Sequence, residues 1–340
     1  MAKRSKDAES GGKRSKDAES GGKRSNDAES GGKRSNDAES GGKRSNDPES
    51  GGTESGGTQS VQAPLRISDQ LRLPRGPVDL SGLDPRATTG APGDRAAAEA
   101  DFPGTAARLA ELQERLYAEG VVGGSRRLLL VLQGMDTSGK DGTTTHVVGQ
   151  VNPQGTRITA FRTPTRAERR HDFLWRINHA VPAPGLLGVF NRSQYEDVLI
   201  VRVHSLVPES EWRTRYDRIN DFERQLTDDG VHLVKVFLHI SKEEQKQRLL
   251  ARLDDPTKHW KYNPEDVNER AFWDAYTEAY TDALARCNTV HAPWYVVPAD
   301  RKWYRNWAVA RLLLEALEDM NPQYPPADFD VSAERARVEA

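Results

Sequence analysis

Short apolar runs alternate with segments of helical periodicity through residues 106–320 of the 340-residue chain. The runs cover residues 128–132, 158–161, 186–190, 232–240 and 294–297. Each run is short and is bounded by Gly, Pro or charged residues, which is typical of buried parallel strands. The alternation therefore predicts an α/β fold with a parallel five-stranded sheet and helices on both faces.

Four segments carry apolar residues three and four positions apart, which predicts amphipathic helices. They cover residues 106–117, 166–181, 265–286 and 302–319. In the second of them, Phe173, Leu174 and Ile177 fall on one face and the arginines fall off it. We interpret these stripes as core contacts rather than cofactor contacts.

The flanking segments have a different composition. Residues 61–105 are rich in Pro, Gly and Asp, with a few apolar anchors such as Leu71, Leu73 and Leu80, and predict an extended segment lying over the domain. Residues 321–340 are interpreted as a C-terminal tail.

Residues 1–60 consist largely of a decapeptide repeat. From Gly11 the segment GGKRSKDAES recurs, and Lys becomes Asn in later copies. No Leu, Ile, Val or aromatic residue precedes Val61, so this stretch cannot bury enough apolar surface to offset its chain entropy. We predict a disordered tail that acts as a spacer, since its small basic excess argues against an arm for an anionic surface.

Composition restricts the remaining possibilities. The formal net charge of −2 gives no global attraction to nucleic acid or to a membrane. Cys287 is the single cysteine, so an internal disulfide is excluded and a buried thiol is expected. The chain contains no long apolar run, and charge rather than a signal-peptide core follows Met1. We therefore expect a cytoplasmic protein without a nucleic-acid or membrane partner.

The stretch LLLVLQGMDTSGKDGTTTH, residues 128–146, carries the strongest chemical signal. Gly134-x4-Gly139-Lys140 has the spacing of a phosphate-binding P-loop, with a predicted strand before it and a predicted helix after it. Backbone N–H groups of such a loop face phosphate oxygens, and its lysine spans the phosphates. The predicted phosphate contacts are Gly134, Ser138, Gly139, Lys140, Gly142 and Thr143.

Two acids in this stretch are unexpected beside phosphates. A carboxylate in a phosphate loop is favourable if it holds Mg²⁺, which prefers oxygen ligands. Asp136 is therefore the candidate metal ligand and Mg²⁺ the expected cofactor. Asp141 follows the lysine, at the first turn of the predicted helix, where an acid also favours the helix dipole. We favour that structural role for Asp141.

The chain resembles polyphosphate kinase family 2 in four sequence blocks, which occur in the same order as in the family. They are GMDTSGKDGTT and the segments at residues 163–199, 239–280 and 292–309, so the resemblance covers about residues 70–317. It implies a P-loop kinase-like fold with a helical lid, placed at about residues 241–275. It also implies Mg²⁺-dependent phosphoryl transfer between inorganic polyphosphate and a nucleotide. The pattern Asn-Arg-Ser-x-Tyr-Glu-Asp-Val-Leu resembles the branch that accepts AMP and ADP, forming ADP and ATP; a homo-oligomer is expected.

The resemblance also implies site residues. Its functional positions fall on Asp136, Lys140, Asn191, Arg192 and Glu196. Many family members have Asp at the position of Asn191, and an amide is a poorer metal ligand than a carboxylate. Polyphosphate is a linear polyanion, so cations of the second and third blocks are predicted to contact it: Arg176, Arg248, Arg252, Lys258 and Lys261. Trp260 and Tyr262 lie among the lid lysines, where we favour a role in holding the lid helices together over stacking on a base.

Two other functions remain possible at this level. One is a P-loop kinase that uses ATP to phosphorylate a small molecule or a nucleotide. The other is a catalytically weak protein that binds polyphosphate or nucleotide, against which Asp136, Lys140 and Arg192 argue because all three are present. The resemblance favours the polyphosphate-dependent reaction.

Overall fold

A parallel sheet of five strands forms the centre of residues 66–340, which are the part of the chain described by this computed structural model. The predicted tail, residues 1–60, and residues 61–65 lie outside the described residues. The strands are β1 (Arg127–Gln133), β2 (Thr156–Ala160), β3 (Leu187–Asn191), β4 (Val231–His239) and β5 (Trp294–Pro298). Their order is β2-β3-β1-β4-β5 and every pairing is parallel, as the apolar runs predicted.

Helices lie on both faces of this sheet. In chain order they are α1 (Ile67–Leu71), α2 (Arg95–Val121), α3 (Lys140–His146), α4 (Trp175–Ala180), α5 (Ile200–Val203), α6 (Glu209–Asp228), α7 (Lys242–Leu253), α8 (Glu265–Glu269), α9 (Trp273–Arg286), α10 (Lys302–Met320) and α11 (Val331–Glu339). Successive side chains of β1 enter opposite cores because strand residues alternate between the two faces. Leu130 joins a cluster with α2 and α10, and Leu129 joins a cluster with α6 and α9.

The helix predicted at residues 106–117 begins earlier, at Arg95. Asp94 caps this end, since its side chain accepts a hydrogen bond of 3.0 Å from the Ala97 N–H. The helix continues through Pro103, which cannot donate the backbone hydrogen bond expected at that position. The predicted extended segment is therefore shorter than residues 61–105, although its anchors Leu71, Leu73 and Leu80 are buried as expected.

The continuous helix predicted at residues 166–181 was wrong. A 3₁₀ turn covers Glu168–Arg170, and α4 is confined to Trp175–Ala180. Asp172 explains the break, because its side chain accepts from Leu174 N–H at 3.0 Å and its carbonyl accepts from Trp175 N–H at 2.9 Å. An Asp that bonds to nearby backbone in this way competes with helix continuation.

The remaining expectations differ less from the structure. The helix predicted at residues 265–286 is divided into α8 and α9 by a 3₁₀ turn, and the one at residues 302–319 is α10. Cys287 is buried, and burial raises the pKa of its thiol to about 12. Among residues 66–340, no helix combines the length and the apolar character that crossing a membrane requires.

Candidate active site

The loop between β1 and α3 has backbone geometry that restricts its residues. Gly134, Thr137 and Gly139 have φ angles of 147°, 63° and 110°, in the region that L side chains rarely adopt. A Cβ at Gly134 would lie 2.6 Å from the Leu238 carbonyl oxygen, and one at Gly139 would lie 1.8 Å from Arg305 Nη1. Both glycines of the sequence motif are therefore required by the fold as well as by any phosphate contact.

Lys140 lies inside this loop. Its Nζ donates to the carbonyl of Gly134 at 2.6 Å and to that of Met135 at 3.2 Å. The side chain is buried, and burial together with the nearby Arg192 lowers the pKa of its ammonium group. The structure thus places a partly desolvated cation where the loop would surround a phosphate. Ser138 and Thr143, two further predicted contacts, are also buried here.

Arg192 joins the two carboxylates of the site. It follows β3 with a φ of 64°, its Nη2 donates to Asp136 Oδ1 at 2.8 Å, and its Nη1 lies 3.4 Å from Glu196 Oε2. Glu196 and then Asp136 raise the pKa of the Arg192 guanidinium, which burial alone would lower. Arg192 therefore connects residues of two separate sequence blocks, Asp136 of the loop and Glu196 of its own block.

Asn191 and Asp141 form a second polar contact at the end of β3. The Asn191 Nδ2 donates to Asp141 Oδ1 at 2.5 Å, and Asp141 stands in the first turn of α3. The sequence placed Asp141 at this helix start, but gave no sign that its carboxylate also binds the end of a neighbouring strand. The amide at position 191 is thus used as a donor to an acid.

A cleft opens between the loop and the helices that follow β4. Gly134, Met135, Asp136, Arg192 and Glu196 line one side. The other side is lined by Gln245 of α7, by Glu269 and Arg270, and by the aromatic residues Trp273, Tyr276 and Tyr280 of α9.

Glu269, Arg270 and Tyr276 were not identified from the sequence. Tyr276 was assigned to a core stripe, and it does pack partly against the core. Its hydroxyl, however, donates to Glu269 Oε2 at 2.8 Å at the cleft. The spacing of Glu269, Trp273, Tyr276 and Tyr280 along one helical face was the available signal, because an acid in an aromatic stripe is unusual for a core.

The predicted polyphosphate-binding cations do not line this cleft. The Arg176 Nη1 donates to the Arg162 carbonyl at 2.7 Å, and the guanidinium lies 4.0 Å from Asp197. Arg248 is buried behind the loop, where it contacts backbone carbonyls. The loop, Asp136, Lys140, Asn191, Arg192 and Glu196 are brought together, whereas these two arginines are oriented elsewhere.

The lid cations contact their own segment. The Lys258 Nζ pairs with Asp255 at 2.6 Å, and the Lys261 ammonium lies 4.9 Å from the centre of the Trp260 rings. Arg252 donates to the Lys261 carbonyl at 3.0 Å. Trp260 is 79% exposed, so the prediction that it packs between the lid helices was wrong.

A buried network supports the segment that carries Arg192 and Glu196. The Tyr195 hydroxyl donates to Glu223 Oε1 at 2.7 Å, and Lys235 Nζ donates to Glu223 Oε2 at 2.6 Å. Lys235 also donates to the Cys287 carbonyl at 2.6 Å. Lys235 and Glu223 are fully buried, and their ion pair holds Tyr195, which lies in the chain between the candidate site residues Arg192 and Glu196.

A parallel sheet with this strand order, and a P-loop between β1 and α3, define a P-loop kinase-like protein. Residues 93–325 match the model of one family, described as Polyphosphate kinase 2. The chain therefore belongs to the polyphosphate kinase 2 family, as its four sequence blocks predicted.

Individual relatives agree with this assignment. A crystal structure of Polyphosphate Kinase 2 from Arthrobacter aurescens has a TM-score of 0.79 and 54% sequence identity, covering 82% of this chain and 98% of that one. The AMP/ADP-polyphosphate phosphotransferase of Meiothermus ruber is 48% identical over 252 residues, which are 74% of this chain and 93% of the relative. The ADP-polyphosphate phosphotransferase of Rhodopseudomonas palustris is 42% identical over 230 residues, 64% of this chain and 78% of the relative.

Proposed function

We propose that this protein transfers a phosphoryl group between inorganic polyphosphate and AMP or ADP, forming ADP or ATP. The observation that carries the proposal is the contact of Asp136 and Glu196 with Arg192, next to Lys140 inside the P-loop. The names of the relatives from Meiothermus ruber and Rhodopseudomonas palustris supply the substrate class.

The site residues suit phosphoryl transfer because this reaction depends mainly on positioning and on charge stabilisation. Lys140 and Arg192 are cations in direct contact with loop residues, and both are held by acceptors of the protein in this structure. On substrate binding, phosphate oxygens would replace those acceptors. Both cations would then bind the transferring group and stabilise the charge on its oxygens.

Asp136 is the residue that we expect to hold Mg²⁺, and Glu196 is a second carboxylate that contacts the same Arg192 guanidinium. Within residues 66–340, no three or more His, Cys, Asp or Glu side chains are grouped so as to hold a metal by themselves. That arrangement fits Mg²⁺, which is commonly bound by one or two carboxylates together with substrate phosphates and water. When bound, Mg²⁺ would offset the negative charge that accumulates between donor and acceptor phosphates.

The decisive experiment separates the phosphoryl donors. The full chain is incubated with Mg²⁺, polyphosphate and either AMP or ADP, and separately with Mg²⁺, AMP and ATP as the donor, and the nucleotides are then separated. We expect ADP or ATP to form with polyphosphate, and the Lys140→Ala variant to show that the product comes from this site. Product with ATP alone would instead indicate an ATP-dependent kinase, and binding without turnover would indicate a polyphosphate- or nucleotide-binding protein.

Two further expectations belong to the same proposal. We infer that the protein works in the cytoplasm, where nucleotides and Mg²⁺ are available, and that it assembles as a homo-oligomer. Light scattering on the full chain at several concentrations tests the second expectation.

A further inference from the structure

Two buried arginines lie directly behind the P-loop. Arg248 of α7 is 7% exposed, and Arg305 of α10 is 3% exposed. Arg248 Nη1 donates to the carbonyls of Thr137 and Ser138 at 2.9 and 3.0 Å, and Arg305 Nη1 donates to the same Ser138 carbonyl at 3.3 Å. Two cations from different helices therefore bind one carbonyl of the phosphate loop.

Arg248 is fully occupied by its surroundings. Its Nε donates to Glu244 at 2.8 Å, and its Nη2 donates to the carbonyls of Ala299 and Asp300 at 2.5 and 3.0 Å. With the two loop carbonyls, these contacts use the five N–H groups of a guanidinium. Arg248 therefore has no donor left for a substrate phosphate, which sets it apart from the role predicted for it from the sequence.

Arg305 has a different environment. The Arg305 guanidinium lies very close to a glycine of the loop and to one at the start of α3. A Cβ added to Gly139 would lie 1.8 Å from Arg305 Nη1, and one added to Gly142 would lie 2.9 Å from Arg305 Nη2. Its remaining contacts are with the amide oxygen of Asn306. Among residues 66–340, no carboxylate lies within ion-pair distance of Arg305, whereas Glu244 pairs with Arg248. Burial, followed by the charge of Arg248, lowers the pKa of the Arg305 guanidinium to about 9.

We propose that Arg248 and Arg305 are positioning residues for phosphate binding, and that a bound phosphate chain supplies the counter-charge that Arg305 lacks. The inference rests on the proposed function, since it assumes that the loop binds phosphate. The first half follows from peptide geometry. The peptide that joins Ser138 and Gly139 is planar and trans, so its C=O and N–H point in opposite directions. With the Ser138 carbonyl held by both arginines, the Gly139 N–H is directed away from them.

The second half follows from the charge balance. A buried charge without a partner is strongly unfavourable, whereas the same charge beside an anion is stabilised. In the unliganded protein, the buried Arg305 charge is therefore destabilising. Arg305 contacts the Ser138 carbonyl, on the side of the loop opposite to the proposed phosphate site. Binding a polyanion relieves that cost, so part of the affinity for phosphate comes from a residue that does not touch the ligand.

The test compares affinity with stability in the full chain. Inorganic tripolyphosphate is titrated into the wild type and into Arg305→Met, Arg305→Lys and Arg248→Lys, and each unliganded protein is melted. We expect Arg305→Met to bind tripolyphosphate roughly tenfold more weakly, about 1.4 kcal/mol, while its unliganded melting temperature is equal to or above that of the wild type. Arg305→Lys keeps the charge and should recover most of the affinity. Arg248→Lys keeps its charge but loses the forked donation to two carbonyls, so it should bind more weakly.

Arg66→Met is a control for the loss of an arginine distant from the loop; unlike Arg305, Arg66 is partly exposed and pairs with Glu315 and Asp319. Like Arg305, Arg66 donates to a backbone carbonyl, that of Glu315 at 3.1 Å. Glu315 lies ten positions after Arg305 on α10, about 15 Å along the helix. This variant should bind tripolyphosphate as the wild type does.

Three results would overturn the inference, and they can be told apart. Affinity of Arg305→Met within twofold of the wild type would show that its charge is not coupled to the ligand. A marked drop in the melting temperature of unliganded Arg305→Met would show that the Arg305 charge stabilises the unliganded fold, which contradicts the charge balance proposed here. Absence of binding by the wild type would remove the proposed function itself, together with the inference that depends on it.

Discussion

The Asp136 carboxylate accepts a hydrogen bond of 2.8 Å from the Arg192 guanidinium, across the space between the P-loop and the end of β3. This contact explains how a phosphate-binding loop can contain an acid. In the unliganded protein the carboxylate is neutralised by Arg192, which Glu196 also approaches at 3.4 Å. In the proposed function, phosphates would become the partners of Arg192 and a metal ion the partner of Asp136, so each group would exchange one ionic contact for another.

The role of Asp136 can be separated from that of a general negative charge. Asp136→Asn should lose most of the activity, and excess Mg²⁺ should restore part of it, because the amide keeps the size but loses the charge that attracts a hard cation. Asp141→Asn removes the same charge five positions later and should retain far more activity. The measurement is the initial rate as a function of Mg²⁺ concentration for both variants. An unchanged Mg²⁺ dependence in Asp136→Asn, or greater damage in Asp141→Asn, would contradict the metal-ligand assignment.

Lys140 should matter for turnover and little for folding. Lys140→Ala removes the ammonium that lies inside the loop, and a lost contact of this kind to a transferring group typically costs roughly 10²-fold or more in rate. Because burial lowers the pKa of this ammonium, the unfolding temperature should change little. Rates and thermal melts are compared with those of Lys246→Ala, which alters an exposed lysine of α7. Activity of Lys140→Ala within threefold of wild type would rule out the loop assignment.

The buried pair of Lys235 and Glu223 should contribute strongly to stability. Lys235→Met leaves the Glu223 carboxylate buried without its cation, which typically lowers the free energy of unfolding by about 3–5 kcal/mol. Adding Glu223→Gln should cost less than it does in the wild type, since the charge it removes is then already unpaired. Urea unfolding of the two single variants and of the double variant measures this coupling. Strict additivity would show that the two charges do not interact.

The repeat segment should be dispensable. Deleting residues 1–60 removes no Leu, Ile, Val or aromatic residue, so we expect no loss of core packing. Turnover and melting temperature should therefore match those of the full chain. A melting temperature lower by roughly ten degrees would show that the segment stabilises the domain, since a shift of that size corresponds to a loss of several kcal/mol.

The strands could be predicted from the sequence because each is an apolar run too short for a helix. The break at Asp172 was missed, since Phe173, Leu174 and Ile177 keep helical spacing while the Asp172 side chain bonds to the backbone two residues later. The spacing of apolar residues describes which side of the chain faces the core. It does not report such local competition for backbone hydrogen bonds.

The candidate site was predictable to the extent that one motif contains it. Asp136 and Lys140 stand in the loop, and Arg192 and Glu196 follow a strand that neighbours β1. Arg248 was expected to contact substrate and instead lies behind the loop, because a sequence shows that a residue is cationic but not which side of a loop it approaches. Arg305 was not singled out for the same reason: its partner, the Ser138 carbonyl, is a backbone atom that any residue type would supply.

The hydrogen bond between Asn191 and Asp141 can be tested by changing which of the two side chains carries the carboxylate. Asn191→Asp would place two carboxylates where an amide now donates at 2.5 Å, and like charges at that distance cannot both ionise without cost. In this variant, repulsion between the two carboxylates favours a state in which they share one proton, which raises the pKa of the pair in the folded protein. Stability should therefore be lower at pH 8 and should recover as the pH falls toward 5. The loss at pH 8 should be roughly 1 kcal/mol or more, and Mg²⁺ should reduce it by binding between the acids.

Exchanging both residues provides the control. The double variant Asn191→Asp with Asp141→Asn restores one amide and one carboxylate, so its stability at pH 8 should return close to that of the wild type. The charge then stands on the strand end instead of in the first turn of α3, where an acid favours the helix dipole by roughly 0.5 kcal/mol, and this small difference should remain. Urea unfolding at pH 8 and pH 5.5, with and without Mg²⁺, is measured for the wild type, for Asn191→Asp, for Asp141→Asn and for the double variant. If Asn191→Asp alone is as stable as the wild type at pH 8 without Mg²⁺, the two side chains are not in contact in solution.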